Sequence, residues 1–352
     1  MNGPDEHRNP HLAREAGEQR VAAEGPAPSI ADHGLICGFS LAPDSPAEAI
    51  TVSEIETVLA RSDRIVWIHL NANHAGVRRW LAHADIVPPR ARAALEDREQ
   101  RVRVETLGAG ILAIVNDLTF EEESEPDEVA TLWAYATPRL LVTARAHPLR
   151  NLDRLRSAAR NGLRTSSGFA LLGQIFEFQA EALESLLKHP ADAIERVEDH
   201  ILRGRVREQR ESLGQARRMV VHLNRHFAPQ RHAMTRLAAR SGDALAQGEL
   251  ARMQAAADEL GFLLDQIAGL QERAKLLQEE LHARVSEQTN RSLYVLTVFS
   301  VVFLPMNLVA GIFGMNVAGL PGLEGDSSFY WAMLTIVVAG AVTLIALLLR
   351  LA

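Results

Sequence analysis

LYVLTVFSVVFLPMNLVAGIF, residues 293–313, carries no charged side chain, and FYWAMLTIVVAGAVTLIALLL, residues 329–349, is a second such run. Each is 21 residues long and would extend about 30 Å as a helix, the thickness of a bilayer's hydrocarbon core. One apolar run can be the core helix of a soluble protein; two in tandem read as membrane spans. Lys275, Arg284 and Arg291 precede the first run, Arg350 follows the second, and no Lys or Arg lies from Ser292 to Leu349. Basic residues gather on the cytoplasmic side of spans, which puts both termini in the cytosol. The connecting segment then faces outward, with Glu324 and Asp326 as its charged groups. Two acids there either steer cations inward or only keep a loop soluble.

Upstream, a proline-free stretch begins near Ala246 and runs into the first span. It predicts a single helix over 246–313, roughly 100 Å long. Met253, Leu260, Ile267, Ala274 and Leu281 recur every seven residues, with Ala256, Leu263, Leu270 and Leu277 as the second seam. That a/d pattern is the signature of helix association. Inside the span the seam turns polar: Asn290, Leu293, Thr297, Ser300, Leu304, Asn307 and Gly311 are spaced three and four apart and share one face. Lipid cannot satisfy polar groups, so such a stripe is expected to line a water-filled pore. Single residues have other uses: Thr297 and Ser300 can bond back to their own backbone, and Asn307 can join two helices. Around an axis, Asn290 and Asn307 would form rings of amide oxygens, and Leu293 and Leu304 apolar constrictions that block ions by dewetting. Pro305 removes a backbone hydrogen bond and permits a bend there.

The first span ends in Gly314-Met315-Asn316, followed by Val317, Ala318, Gly319, Leu320, Pro321 and Gly322. Glycine allows a sharp turn, and Asn316 offers a hard, neutral carbonyl oxygen able to hold a hydrated divalent cation through its water shell, or to cap the helix. A Gly-Met-Asn motif between two C-terminal spans, after a long seam helix, resembles the CorA metal-ion transporter family. The continuation after Asn316 is similar to the family's ZntB branch, associated with zinc; magnesium-type members place an acid almost directly after the motif. The resemblance implies a homopentamer with an α/β cytosolic funnel domain, pore-lining long helices, and Gly314, Met315 and Asn316 as the outer selectivity site. It adds Leu296 to the pore positions.

The remaining chain fits an α/β cytosolic domain. Ile65–Asn71 reads as a buried strand, as do parts of Arg103–Val115 and Thr131–Ala144, with helical pieces at Ala75–Ala84 and Arg90–Glu96. From Gly168 to Ala239 the pattern is helical and highly charged. Residues 1–30 are polar and proline-bearing, which predicts a disordered tail. The expected layout is 31–165 for the cytosolic α/β domain, 166–245 for a helical arm and 246–313 for a stalk helix continuing into the first span. A periplasmic loop at 314–328, a second span at 329–349 and a cytosolic end at 350–352 complete it. His222 and His226 stand four apart on a helix, with His232 nearby, a spacing open to zinc. No Glu lies between them to act as a base, and Arg225 and Arg231 are poor neighbours for a dication. His69 reads as a satisfied core histidine. Asp265, Glu272 and Glu279 are candidates for acids facing a cytosolic lumen.

A net charge of −7 sets nucleic acid aside as a partner, and the single cysteine, Cys37, cannot form an internal disulfide. No P-loop is present, so transport would run on ion gradients or the membrane potential. The expectation is a multi-pass homopentamer of a bacterial inner membrane, carrying divalent cations, zinc first, with no catalytic residue and no cofactor beyond the transported ion. The resemblance allows proton coupling, although no Asp or Glu in the spans marks a proton path. The alternatives are a CorA-like Mg2+/Co2+ channel, a membrane-anchored scaffold or sensor that uses the heptads to oligomerise, and a metalloenzyme resting on His222 and His226.

Overall fold

The computed structural model describes residues 34–61, 63–119, 128–204, 209–240, 246–315 and 328–351. The expected tail at 1–30, Asn316, Glu324 and Asp326 lie outside them. The chain divides into two compact units: Met1–Leu187 with His222–Ile267, and Lys188–Val221 with Ala268–Ala352.

The first unit is built on a seven-stranded sheet. Its strands are β1 (Leu35–Leu41), β2 (Glu48–Ala49), β3 (Ile65–Asn71), β4 (Arg103–Leu107), β5 (Gly110–Leu118), β6 (Val129–Ala136) and β7 (Leu140–Arg145), ordered β2-β1-β3-β7-β6-β5-β4. β3 and β7 pair in parallel; the other pairs are antiparallel. Residues 65–70 are all buried, as a central strand covered on both faces requires. On one face Val66, Ile68, Leu70, Ile114, Trp133 and Val142 meet three short helices. These are α1 (Ile55–Ala60), α2 (Ala75–His83) and α3 (Pro89–Glu96). Ile55, Val77, Leu81, Ala91 and Leu95 supply their contacts.

On the other face of β3, Trp67 Nε1 donates to Thr143 Oγ1 at 2.9 Å, and His69 Nδ1 lies 2.9 Å from the same oxygen. His69 is therefore a core histidine, but satisfied at one nitrogen only, because among the described residues Nε2 has no partner. Burial, then Arg145, pushes its pKa down to about 3, so the ring is neutral. Further along the sheet, β4 stops at Arg103 opposite Ile114, so the end of β5 has a strand on one side only. Two glutamines take the missing strand's place. They come from α5 (Gly168–Leu202) and α6 (Gln209–Arg240). Gln230 Oε1 accepts from the Asn116 backbone N at 3.2 Å, Gln179 Nε2 donates to the Asn116 carbonyl at 3.1 Å, and the two amides bond each other at 2.7 Å. α4 (Arg150–Arg160) buries Leu152, Leu155 and Ala159. α5 starts at glycine for a steric reason: a Cβ on Gly168 would run into the carbonyl oxygens of Leu140 and Thr137.

α7 runs from Gln247 to Phe313 as one helix, through Pro305. In the first unit Met253, Ala256, Leu260, Leu263 and Ile267 are buried, and Arg252 pairs with Glu177 of α5 at 3.2 Å. In the second unit Ala274, Leu277 and Leu281 pack with Ala193, Ile194, Val197 and Ile201 of α5 and Leu213 and Ala216 of α6. Arg273 pairs with Glu198 at 2.5 Å, and Arg284 Nη1 donates to the Ile201 carbonyl at 3.0 Å. The heptads in this unit are thus filled by the chain's own helices. This removes the main support for a scaffold that uses them to oligomerise.

From His282 to Ile312 no residue of α7 is buried. α8 (Ser328–Leu351) is equally apolar and nearly as uncovered. Both are long and apolar enough to cross a membrane, and their exposure separates them from the core helices of a soluble protein. Phe329, Tyr330 and Trp331 open α8, the composition of an interfacial aromatic belt.

Candidate functional site

The candidate site is the polar stripe of α7, and the position of α8 decides which way it faces. Along the apolar part of α7, Val298, Val302, Pro305, Met306 and Val309 are partly covered while their neighbours are exposed. On α8 the covered positions are Ile336, Ala339, Gly340 and Thr343, one face of that helix. The two faces meet at Gly340, where a Cβ would stand 2.9 Å from Met306 Sδ. A glycine here lets two helices approach closely. At 3.6 residues per turn, the stripe of Asn290, Leu293, Thr297, Ser300, Leu304, Asn307 and Gly311 centres roughly 200° from this contact face. It points directly away from α8, and all seven residues are exposed. Leu304 is 75% exposed, the most of any large apolar residue of α7 whose side chain is described. Leu296 is exposed too, flanking the stripe rather than lying within it.

The stripe's chemistry is that of an acceptor surface. Thr297 Oγ1 donates to the Leu293 carbonyl at 2.8 Å and Ser300 Oγ to the Leu296 carbonyl at 2.9 Å. Both hydroxyls do bond back to their own helix. With the proton committed, each oxygen still holds lone pairs for an outside donor, such as a water of hydration. At Gly311, among the described residues, no atom beyond its own helix backbone lies within 4 Å of where a Cβ would stand. Packing within this chain therefore does not demand glycine there. Gly314 N donates to the Ala310 carbonyl at 2.9 Å, which carries helical hydrogen bonding one residue past Phe313, and Met315 is 52% exposed.

The other sequence-level candidates are not drawn into a site. The rings of His222 and His226 lie with centroids 4.5 Å apart, tilted 48° to one another. Burial, then His222 and Arg225, lowers the His226 pKa. Among the described residues no three His, Cys, Asp or Glu side chains gather to hold a metal. Asp265, Glu272 and Glu279 are each exposed, and Glu272 pairs with Lys275 at 3.7 Å. Sequence reasoning missed the α7–α8 contact face; its available signal was the small cluster Ala339-Gly340-Ala341 in the middle of the second apolar run.

A family model described as CorA-like Mg2+ transporter protein matches residues 62–350. The chain is 28% identical over 280 residues to a protein named "Zinc transport protein ZntB" from Klebsiella pneumoniae subsp. pneumoniae, covering 79% of this chain and 85% of that one. In fold it is similar to the full-length CmaX protein, with a TM-score of 0.77, 23% identity and coverage of 89% of this chain and 96% of that one. It is also similar to the CorA magnesium transporter from Methanocaldococcus jannaschii, with a TM-score of 0.69, 18% identity and coverage of 88% and 97%.

Proposed function

Since the chain belongs to the CorA-like Mg2+ transporter family, we propose that it carries divalent metal cations across a membrane, zinc first among them, along the polar stripe of α7. The observation that supports this reading is the stripe's direction: its residues face away from α8 and are left uncovered by the described residues of this chain. Polar groups at membrane depth need protein or water, and several copies around an axis supply both. We take five copies, as the family resemblance implies. Leu293 and Leu304 then form the apolar constrictions, and Asn290, Thr297, Ser300 and Asn307 the oxygen rings that pass a hydrated ion between them. Asn316, after Gly314 and Met315, holds the hydrated ion at the outer mouth, and Glu324 and Asp326 draw cations toward it. The protein sits in a bacterial inner membrane with both termini cytosolic, so an inward dication gains about 4.6 kcal/mol at ~100 mV. The reading requires no covalent step. Zinc is put before magnesium on the names of the sequence relatives and on Val317 and Ala318 following the motif.

Flux of zinc, magnesium, cobalt and nickel into proteoliposomes, with and without a pH gradient, tests the proposal. Zinc flux that Asn316→Ala abolishes supports it. Magnesium flux without zinc moves the assignment to a magnesium channel, and no flux of any ion from an intact oligomer defeats it.

A further inference from the structure

Asp117, on β5, is fully buried, and so is Asn151 on α4. The carboxyl Oδ1 accepts from Asn151 Nδ2 at 2.5 Å and from the Leu118 backbone N at 2.9 Å. Among the described residues the second oxygen, Oδ2, has no hydrogen-bond partner, and neither has Oδ1 of the same Asn151. Both orphans are acceptors, one on each member of a pair already joined through its other atoms. Buried acceptors are rarely left unmade, and a carboxylate can donate nothing to an amide oxygen. One proton placed on Asp117 Oδ2 answers both deficits at once.

We propose that Asp117 is held as a neutral carboxylic acid whose Oδ2–H donates to Asn151 Oδ1, closing a two-bond acid–amide pair that latches α4 to β5 and opens when cytosolic alkalinity removes the proton. Release is a simple ionisation: the proton leaves to water, a carboxylate remains, and the Asn151 amide oxygen loses its donor. The influences on the carboxyl group are burial first, then the hydrogen bonds from the Asn151 side chain and the Leu118 backbone; the Asn151 backbone N–H and the Gln179 amide add smaller downward pulls without making a hydrogen bond to Oδ2. Burial dominates and pushes the carboxyl up to about 7. The titratable and charged groups on the surrounding elements include Arg150, Asp153, Arg154, Arg156 and Arg160 of α4, Glu177 and Glu181 of α5, His226 of α6 and Glu128 before β6. Asp153 is paired with Arg145 and Arg156, and Arg154 with Glu181. The same end of β5 is tied to α6 through Asn116 Nδ2, which donates to the His226 carbonyl at 2.8 Å. The latch thus sits where strand and helices of the first unit are joined.

The sign of the linkage is fixed. A carboxyl whose folded pKa is raised contributes stability that is complete below its unfolded value of about 3.9 and lost as pH rises through the folded one. The test uses the full chain in lipid. pH-difference infrared spectra, wild type minus Asp117→Asn, are expected to show a protonated buried carboxyl band at about pH 5 that fades by about pH 9. The side-chain amide introduced by Asp117→Asn would supply the missing donor permanently, so the variant's unfolding midpoint should decline less than the wild type's over that range. His69 stays neutral over this range, and His226 titrates alike in both proteins and cancels in the difference. Asn151→Ala should shift the acid band, which decides the matter if Asp117→Asn does not fold. An ionised Asp117 at about pH 5, an acid band that Asn151→Ala leaves in place, or midpoints that run parallel would each overturn the proposal.

Discussion

Thr297 and Thr335 are a matched pair. Each donates its hydroxyl to the carbonyl four residues back, Thr297 to Leu293 and Thr335 to Trp331, both at 2.8 Å. Both are exposed on an apolar helix. They differ in direction: Thr297 lies on the stripe opposite the α7–α8 contact, and Thr335 lies on the uncovered side of α8. Thr→Val keeps the shape and removes the oxygen, so the same local bond is lost in both variants, and stability should change equally, by about 0.5–1 kcal/mol or less. The flux should not change equally. If the spare lone pairs of Thr297 meet an ion or its hydration water, their loss removes a charge-assisted contact of about 1.5–3 kcal/mol. That corresponds to roughly a tenfold to hundredfold fall in transport rate. Thr335→Val should stay within about twofold, since its face lies off the proposed ion path. The assay is initial-rate metal uptake in proteoliposomes at equal protein loading, with oligomer integrity checked for both variants. Equal flux in the two, or a loss at Thr335 alone, would refute the assignment of the stripe to the ion path.

Three further outcomes follow from the packing. Leu281→Ala should cost about 2–5 kcal/mol, read as a lower unfolding midpoint with the oligomer retained below it, because Leu281 fills a core made by its own chain; dissociation of an otherwise intact fold would contradict that. Gly340→Ala should be mild, since the obstructing Met306 Sδ is flexible, whereas Gly340→Leu should separate α7 from α8 and cost about 1–3 kcal/mol in thermal stability measured in lipid. His69 is held neutral with its pKa near 3, below its unfolded value, so its contribution is present above about 6.5 and lost as pH falls toward 3. His69→Leu should flatten the acid limb of the stability profile, and an unchanged limb would mean the ring is charged.

The sequence was most legible where one property repeats over a long stretch. Charge-free runs marked the spans, and seven-residue spacing marked α7. The expected strand at 65–71 coincides with β3, because a continuous β-branched and aromatic run suits a strand covered on both faces. β1 was not anticipated: Leu-Ile-Cys-Gly-Phe-Ser-Leu mixes small, polar and apolar residues without a period. α4 was missed as well, because its four arginines hide Leu152, Leu155 and Ala159. The heptads showed that α7 needs an apolar partner but not which chain supplies it, since a seam records demand and not source. For the stripe, spacing placed the residues on one face. Only the α8 contact shows that this face is the far one, and only the coordinates show both hydroxyl protons already spent on the helix.

The two glutamines at the end of β5 bear on solubility during folding. A strand that outruns its neighbour presents bare N–H and C=O groups, an invitation for a foreign strand to pair and for chains to aggregate. Gln179 and Gln230 meet Asn116 with one donor and one acceptor, imitating a strand without being one. They reach it from two different helices, so the protection is complete only once α5 and α6 have docked. Until then this edge is the sticky part of the chain. Replacing either glutamine should show first as lower yield of soluble or membrane-inserted protein, before any defect in transport.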